Sequence, residues 1–212
     1  MIKKNLKLLI LTSVIILMPI VAGLILWDKL PEQVPMHFDI NGNADGYASK
    51  TFAVFAFPLF MVAMQWLCSF FTGLDPKMKN FSKKTTALVL WIIPALSLLL
   101  HAIIYAYALG KEFNVTVPLM LFFGLFFVIT GNYLPKMSQS YTVGIKFPWT
   151  LNSEANWIYT HRISGKVWVV GGLILIATSF LNLGWLYIAI FAIMIAVPVI
   201  ASYRFHKKEN KS

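Results

Sequence analysis

Six apolar runs, each long enough to cross a lipid bilayer, limit what this chain can fold into. They cover Leu6–Trp27, Phe52–Thr72, Thr86–Leu109, Pro118–Leu134, Gly165–Asn182 and Trp185–Tyr203. A hydrocarbon core about 30 Å thick takes roughly 20 helical residues at 1.5 Å each. Nothing in that core can bond a free backbone N–H or C=O, so such runs must be helical. The charge content agrees. Only 12% of the 212 residues are charged and 58% are apolar, whereas a soluble domain carries about a quarter charged residues. The predicted fold class is all-α: a polytopic membrane protein with six transmembrane helices.

The first run follows Lys3, Lys4 and Lys7 and ends in Trp27-Asp28-Lys29. It is longer than a signal-peptide core of about 7–15 residues, so it reads as a retained helix. Pro19 is the expected kink position. Thr116 is expected to cap the fourth helix, with Pro118 in its first turn. The last two runs are joined by Asn182-Leu183-Gly184 alone, which forces an antiparallel hairpin with Asn and Gly at a helix end.

The net charge of +10 suggests nucleic-acid binding only until it is divided by side. The N-terminus, second loop, fourth loop with its flank and tail hold 15 of the Lys and Arg residues, and the other side holds Lys29, Lys50 and Lys111. The acids divide the opposite way, three against five. Lys and Arg collect on cytoplasmic loops, which puts both termini in the cytoplasm. No direct nucleic-acid partner is expected. The single cysteine, Cys68, excludes an internal disulfide and lies in an apolar run as packing filler.

Two loops are long enough to carry function. The domain reading follows them: residues 1–72 as a helix pair with an external loop over 28–51, and residues 86–212 as a four-helix region with a cytoplasmic loop over 135–164. In the external loop, Pro31 and Pro35 stiffen the exit from the first helix, and Val34–Ile40 reads as a short extended segment. Asn41-Gly42 is a turn signal. Asp39, Asn41, Asn43 and Asp45 are spaced like a calcium loop, but Ala44 and Lys50 stand where that loop needs Gly and Glu. His37 with Asp39 and Asp45 makes a poor metal site without a further ligand. Turn chemistry is favoured, and no metal or cofactor is expected. The functional reading is a compact recognition surface of Pro31, Pro35, His37, Asp39, Asn41, Gly42 and Asp45.

The cytoplasmic loop holds Gly144, Lys146, Pro148, Trp149, Thr150, Glu154, Trp157, His161 and Arg162. Asn152 or Ser153 can cap a helix with Glu154, Trp157 and His161 along one face, lying at the interface before bending into the fifth span. Two readings stay open. One is an interfacial anchor, with Trp149, Trp157 and Tyr159 at the headgroups and Lys146, Arg162 and Lys166 on the phosphates of membrane lipids. The other is a docking surface for a cytoplasmic protein.

Within the spans, His101 is an ionisable group and so a functional candidate. The plainer reading is a neutral imidazole bonded to Ser97 or Tyr105. Gln65 and Asn132 read as interhelical hydrogen bonds. No nucleophile–base set, zinc motif or phosphate loop is present, so catalysis is not expected. A small transporter or channel using His101 is the alternative function.

The segment Leu30–Lys50 resembles the domain of unknown function, DUF1648, at the N-terminus of SdpI-type proteins. Gly144-Ile-Lys-Phe-Pro-Trp-Thr-Leu-Asn-Ser-Glu154, with Trp157, Thr160-His161-Arg162 and Gly165-Lys166, resembles the signature of the SdpI family. Lys146 and Phe147 stand where that signature usually has Arg and Thr. The resemblance implies a bacterial integral membrane protein that gives immunity to a secreted, membrane-active peptide toxin. It also implies a receptor role in which an ArsR-type autorepressor is held at the membrane.

Overall fold

The computed structural model describes residues 2–77, 82–111, 113–181 and 183–211, with side chains from Asn5 onwards. Lys79, Glu112 and Asn182, used in the charge count and the hairpin expectation, lie outside the described residues, as do the side chains of Lys3 and Lys4.

In chain order the elements are α1 (Ile2–Ile25), strands β1 (Gln33–Phe38) and β2 (Ala44–Ser49), and a π-helical turn (Phe52–Ala56) that runs into α2 (Phe57–Gly73). Then come α3 (Lys83–Ala108), α4 (Thr116–Tyr133) with a 3-10 turn (Leu134–Lys136), α5 (Pro148–Asn152), α6 (Glu154–Thr178) and α7 (Gly184–Glu209). Among the described residues six helical stretches are long and apolar enough to span a membrane. These are the six spans expected, and the described residues are all-α apart from one two-stranded hairpin.

Three local expectations change. The helix that carries the fifth span begins at Glu154 rather than Gly165, because Ser153 caps it (Ser153 Oγ accepts from Asn156 N–H at 3.0 Å) and nothing in 154–178 breaks it. There is thus no separate interfacial helix bending into the span. In α1 the non-helical residue is Asn5, not Pro19. Thr116 opens α4 instead of preceding it.

The chain forms two compact units. The first comprises Met1–Leu74 with Thr86–Val115, so α3 packs with α1 and α2, whereas the sequence reading grouped it with 86–212. Polar ties explain this. Tyr105 donates to the Pro19 carbonyl at 3.1 Å and Ser97 to the Ile16 carbonyl at 3.3 Å. Between α2 and α1, Gln65 donates to the Thr12 hydroxyl, and Trp66 Nε1 to Ser13 Oγ at 3.0 Å. Lipid is as apolar as leucine, so bonds of this kind orient helices that hydrophobicity alone would not. The core gathers Leu30, Val34, Ala53, Val54, Ile104 and Tyr105.

The second unit comprises Asp75–Thr85 with Thr116–Ser212. Its central contact is α4 against α6, brought together at two glycine pairs. A Cβ on Gly131 would lie 2.8 Å from the Gly165 carbonyl oxygen, and one on Gly165 would lie 2.6 Å from that of Gly131. Gly124 and Gly172 oppose each other likewise, at 2.7 and 2.5 Å. The pairing Gly131–Gly165 and Gly124–Gly172 steps one helix up while the other steps down, which is an antiparallel register. Tyr187 closes the α6–α7 hairpin by donating to the carbonyls of Thr178 at 2.8 Å and Ser179 at 3.2 Å.

Candidate functional site: an exposed hairpin and a folded signature loop

Val34 and Pro35 of β1 turn inward while His37, Asp45 and Tyr47 face out. The strands pair antiparallel from Gln33–Ser49 to Phe38–Ala44, with irregularities around His37. Asp39 makes the turn. Its Oδ1 accepts the N–H groups of Asn41 and Asn43, both at 2.8 Å, and its Oδ2 accepts Asn43 Nδ2 at 3.2 Å. The backbone bond from Asn43 leads these in holding the Asp39 carboxyl below its usual range. Gly42 takes φ 86°, a left-handed conformation that glycine adopts without a steric cost. His37 Nδ1 faces Asp45 Oδ1 at 2.5 Å.

Lys50 locks the base of this hairpin. It is 8% exposed, pairs with Glu32 at 2.8 Å, donates to the Trp27 carbonyl at 3.3 Å and lies 4.7 Å from the Trp27 ring centroid. Edge contact between Phe38 and Tyr107 adds a tie to α3. The loop is therefore a fixed shape presenting Pro31, His37, Asn41 and Asp45, along with exposed Ile40 and Tyr47. Pro35 is buried and shapes the hairpin from within. Among the described residues no group of three or more His, Cys, Asp or Glu is placed to hold a metal.

In the second unit the signature residues fold onto one another. Trp157 and His161, each 1% exposed, stack at 4.0 Å. Trp157 Nε1 donates to the Met137 carbonyl at 2.9 Å. Ile145 N–H donates to His161 Nε2 at 3.1 Å, so Nδ1 carries the imidazole proton and donates to the Trp157 carbonyl at 2.9 Å. Gly144 has φ 117°, and a Cβ there would lie 2.6 Å from the Trp157 ring and 2.7 Å from His161 Nε2. Glycine is required at this position on both counts.

Thr150 is buried inside the same loop. Its hydroxyl accepts from Phe147 N–H at 2.8 Å, fixing the start of α5, where Pro148 needs no N–H partner. Trp149 is half-buried, donating to Ser202 Oγ at 3.2 Å and stacking on Phe147 and His206. On α6, Asn156 donates to the Ser202 carbonyl at 3.1 Å, and Ser153 donates to Glu209 at 2.7 Å.

These bonds correct part of the sequence reading. Thr150, Trp157 and His161, expected on a docking surface, and Trp157 also at the headgroups, are instead buried with their polar atoms bonded inside the protein. Lys146, Pro148, Glu154 and Arg162 remain exposed. The Lys146 ammonium donates to the Tyr141 and Thr142 carbonyls at 3.2 and 3.0 Å.

Comparison with known proteins matches residues 136–202 to the SdpI/YfhL protein family and residues 14–62 to a domain of unknown function, DUF1648. The chain is 30% identical over 217 residues, 99% of each sequence, to the immunity protein SdpI of Bacillus subtilis (strain 168). The chain belongs to the SdpI/YfhL family. No solved structure matches it.

In this SdpI/YfhL member, sequence reasoning passed over the residue that organises the signature loop. Asp75, 6% exposed, accepts at Oδ2 from Ser140 Oγ at 2.6 Å, Tyr141 N–H at 2.8 Å, and the N–H and hydroxyl of Thr142 at 3.1 and 2.9 Å. Its Oδ1 accepts from Lys77 N–H at 2.8 Å. Burial by itself would raise the Asp75 carboxyl, but the bonds from Ser140, Lys77, Thr142 and Tyr141 outweigh it and hold the group below its usual range. Gln139 completes the frame, donating to the Thr150 and Leu151 carbonyls, both at 2.8 Å, and accepting from Lys77 Nζ. The available signals were a lone acid in one lysine-rich loop and a Ser-x-Thr segment in another loop 65 residues later, with nothing in the sequence to join them.

The intramembrane polar residues divide. His101 is buried with Nδ1 2.8 Å from the Ser97 carbonyl, and its ring packs on Phe57 and Tyr105. Gln65 reaches Thr12 across α1 and α2. Asn132 is exposed on α4, away from the helix contact expected of it, since Gly131 and not Asn132 faces α6.

Proposed function

We propose that this protein is an integral membrane immunity protein that protects a bacterial cell from a secreted, membrane-active peptide. The observation that carries the reading is similarity along the full chain to a protein named for immunity. The two termini lie in the cytoplasm, as the Lys and Arg distribution favours, which puts the hairpin outside the cell and the signature loop inside.

The hairpin is the first surface a secreted peptide meets. Its conformation is set by Lys50 and the Asp39 turn, so binding a peptide does not require ordering a loop. Ile40 and Tyr47 offer apolar contact, and His37, Asn41 and Asp45 offer polar contact. The mechanism is binding without chemistry: peptide held at the hairpin is not free to insert in the bilayer. The signature loop acts as the structural base of the second unit. Capture of an ArsR-type repressor there has no support beyond the resemblance.

The test is survival of a peptide-sensitive strain expressing the protein. The intact protein raises survival, and the double variant Ile40→Ala, Tyr47→Ala lowers it about thirtyfold at equal membrane abundance, the size expected for the loss of two apolar contacts at about 1 kcal/mol each. Killing that is unchanged by the intact protein, with the protein present in the membrane, defeats the reading.

A further inference from the structure

We infer that the α6–α7 face carries a binding site for one anionic phospholipid. A groove of about 320 Å³ runs along this face within the second unit. Gly171, Ile190 and Met194 form its buried floor, and Val170 and Ile193 are exposed walls. The floor exists because Gly171 has no side chain and Met194 packs directly over it. The lining is apolar except at one end, where exposed Lys166 stands.

The shape and charge select the occupant. Lys166 directly precedes residues 167–177, a stretch without a polar side chain, so it sits where hydrocarbon gives way to headgroups. Arg162 lies one turn earlier on the same helical stripe and is also exposed. A cation above an apolar slot suits an amphiphile with one anionic head and a slim tail. An acyl chain fits, with its phosphate on Lys166 and Arg162. The site does not depend on immunity, and its test does not involve the toxin.

The experiment uses the full chain in phosphatidylcholine vesicles doped with phosphatidylglycerol carrying a photoactivatable acyl chain. Cross-linking should concentrate on 167–174 and 190–197, saturate at one lipid per chain, and be competed by unlabelled phosphatidylglycerol but not by phosphatidylcholine. Lys166→Gln should weaken labelling about fivefold, the loss of one headgroup cation. Val170→Trp, which fills the slot from an exposed wall, should reduce it as far with Lys166 intact. Both variants are checked for unchanged helical circular dichroism. Labelling spread evenly over lipid-facing residues such as Leu59, Leu125 and Ile188 overturns the proposal. So does labelling at the groove that ignores headgroup charge or the Lys166 change, or a bound peptide recovered there in place of lipid.

Discussion

At the scale of single residues, Asp75 shows how much one group can organise. Five donors meet its carboxylate, and hydrogen bonds to a charged group contribute about 1.5–3 kcal/mol each where they are fully formed. Its folded carboxyl lies below its usual range, so the proton is bound more weakly in the folded than in the unfolded state. The stabilisation is complete above the unfolded carboxylate range near pH 4 and is lost as pH falls through the folded value. Thermal unfolding in detergent should show a melting point steady from pH 7 to about 5 and falling below about 4. Asp75→Asn should flatten the Asp75 part of that acid limb and lower the melting point at pH 7. An acid limb identical in the variant would remove Asp75 as its source. Gly144 and His161 make the converse point. Their places in the family signature reflect a tight internal fit, in which the glycine makes room for the ring and the imidazole receives a backbone N–H.

At the scale of elements, periodicity and length showed where the helices are, but not which of their faces meet. The six spans were legible because apolar length alone decides them. The hairpin was partly legible from Asn41-Gly42 and the alternation after Val34. The course of α6 was not, since polar Asn156, Thr160, His161 and Ser164 look like loop residues until their partners are known; all four are buried. The α4–α6 contact was hidden for a related reason. Its determinants are missing side chains at Gly124, Gly131, Gly165 and Gly172, and the partner of each glycine is set only by the fold. Gly131→Val puts a branched side chain against the Gly165 backbone and should destabilise the protein by about 1–3 kcal/mol, as overpacking does. Lipid-facing Leu125→Val on the same helix should change stability by less than about 0.5 kcal/mol. Equal melting points for the two variants would remove the glycine pairs from the account of how α4 and α6 meet.

At the scale of the whole molecule, the charge balance is a statement about sidedness. Fifteen basic residues on the predicted cytoplasmic side against three outside predict the orientation. Because Cys68 is the chain's one cysteine, a Cys68→Ser background gives a clean labelling test. Asn41→Cys should react with a membrane-impermeant maleimide in intact cells, and Asn210→Cys only after lysis; the reverse pattern inverts the topology. The two units are also interleaved along the chain, because Asp75–Thr85 belongs to the second unit although α3 follows it in the first. Asp75 is synthesised 65 residues before Ser140. As the ribosome extends the chain, the carboxylate emerges well ahead of the loop that will close on it. Dividing the gene between α3 and α4 would place the carboxylate on one polypeptide and its Ser140–Thr142 donors on the other. The C-terminal fragment would then have to find in a separate chain what continuous synthesis supplies in order.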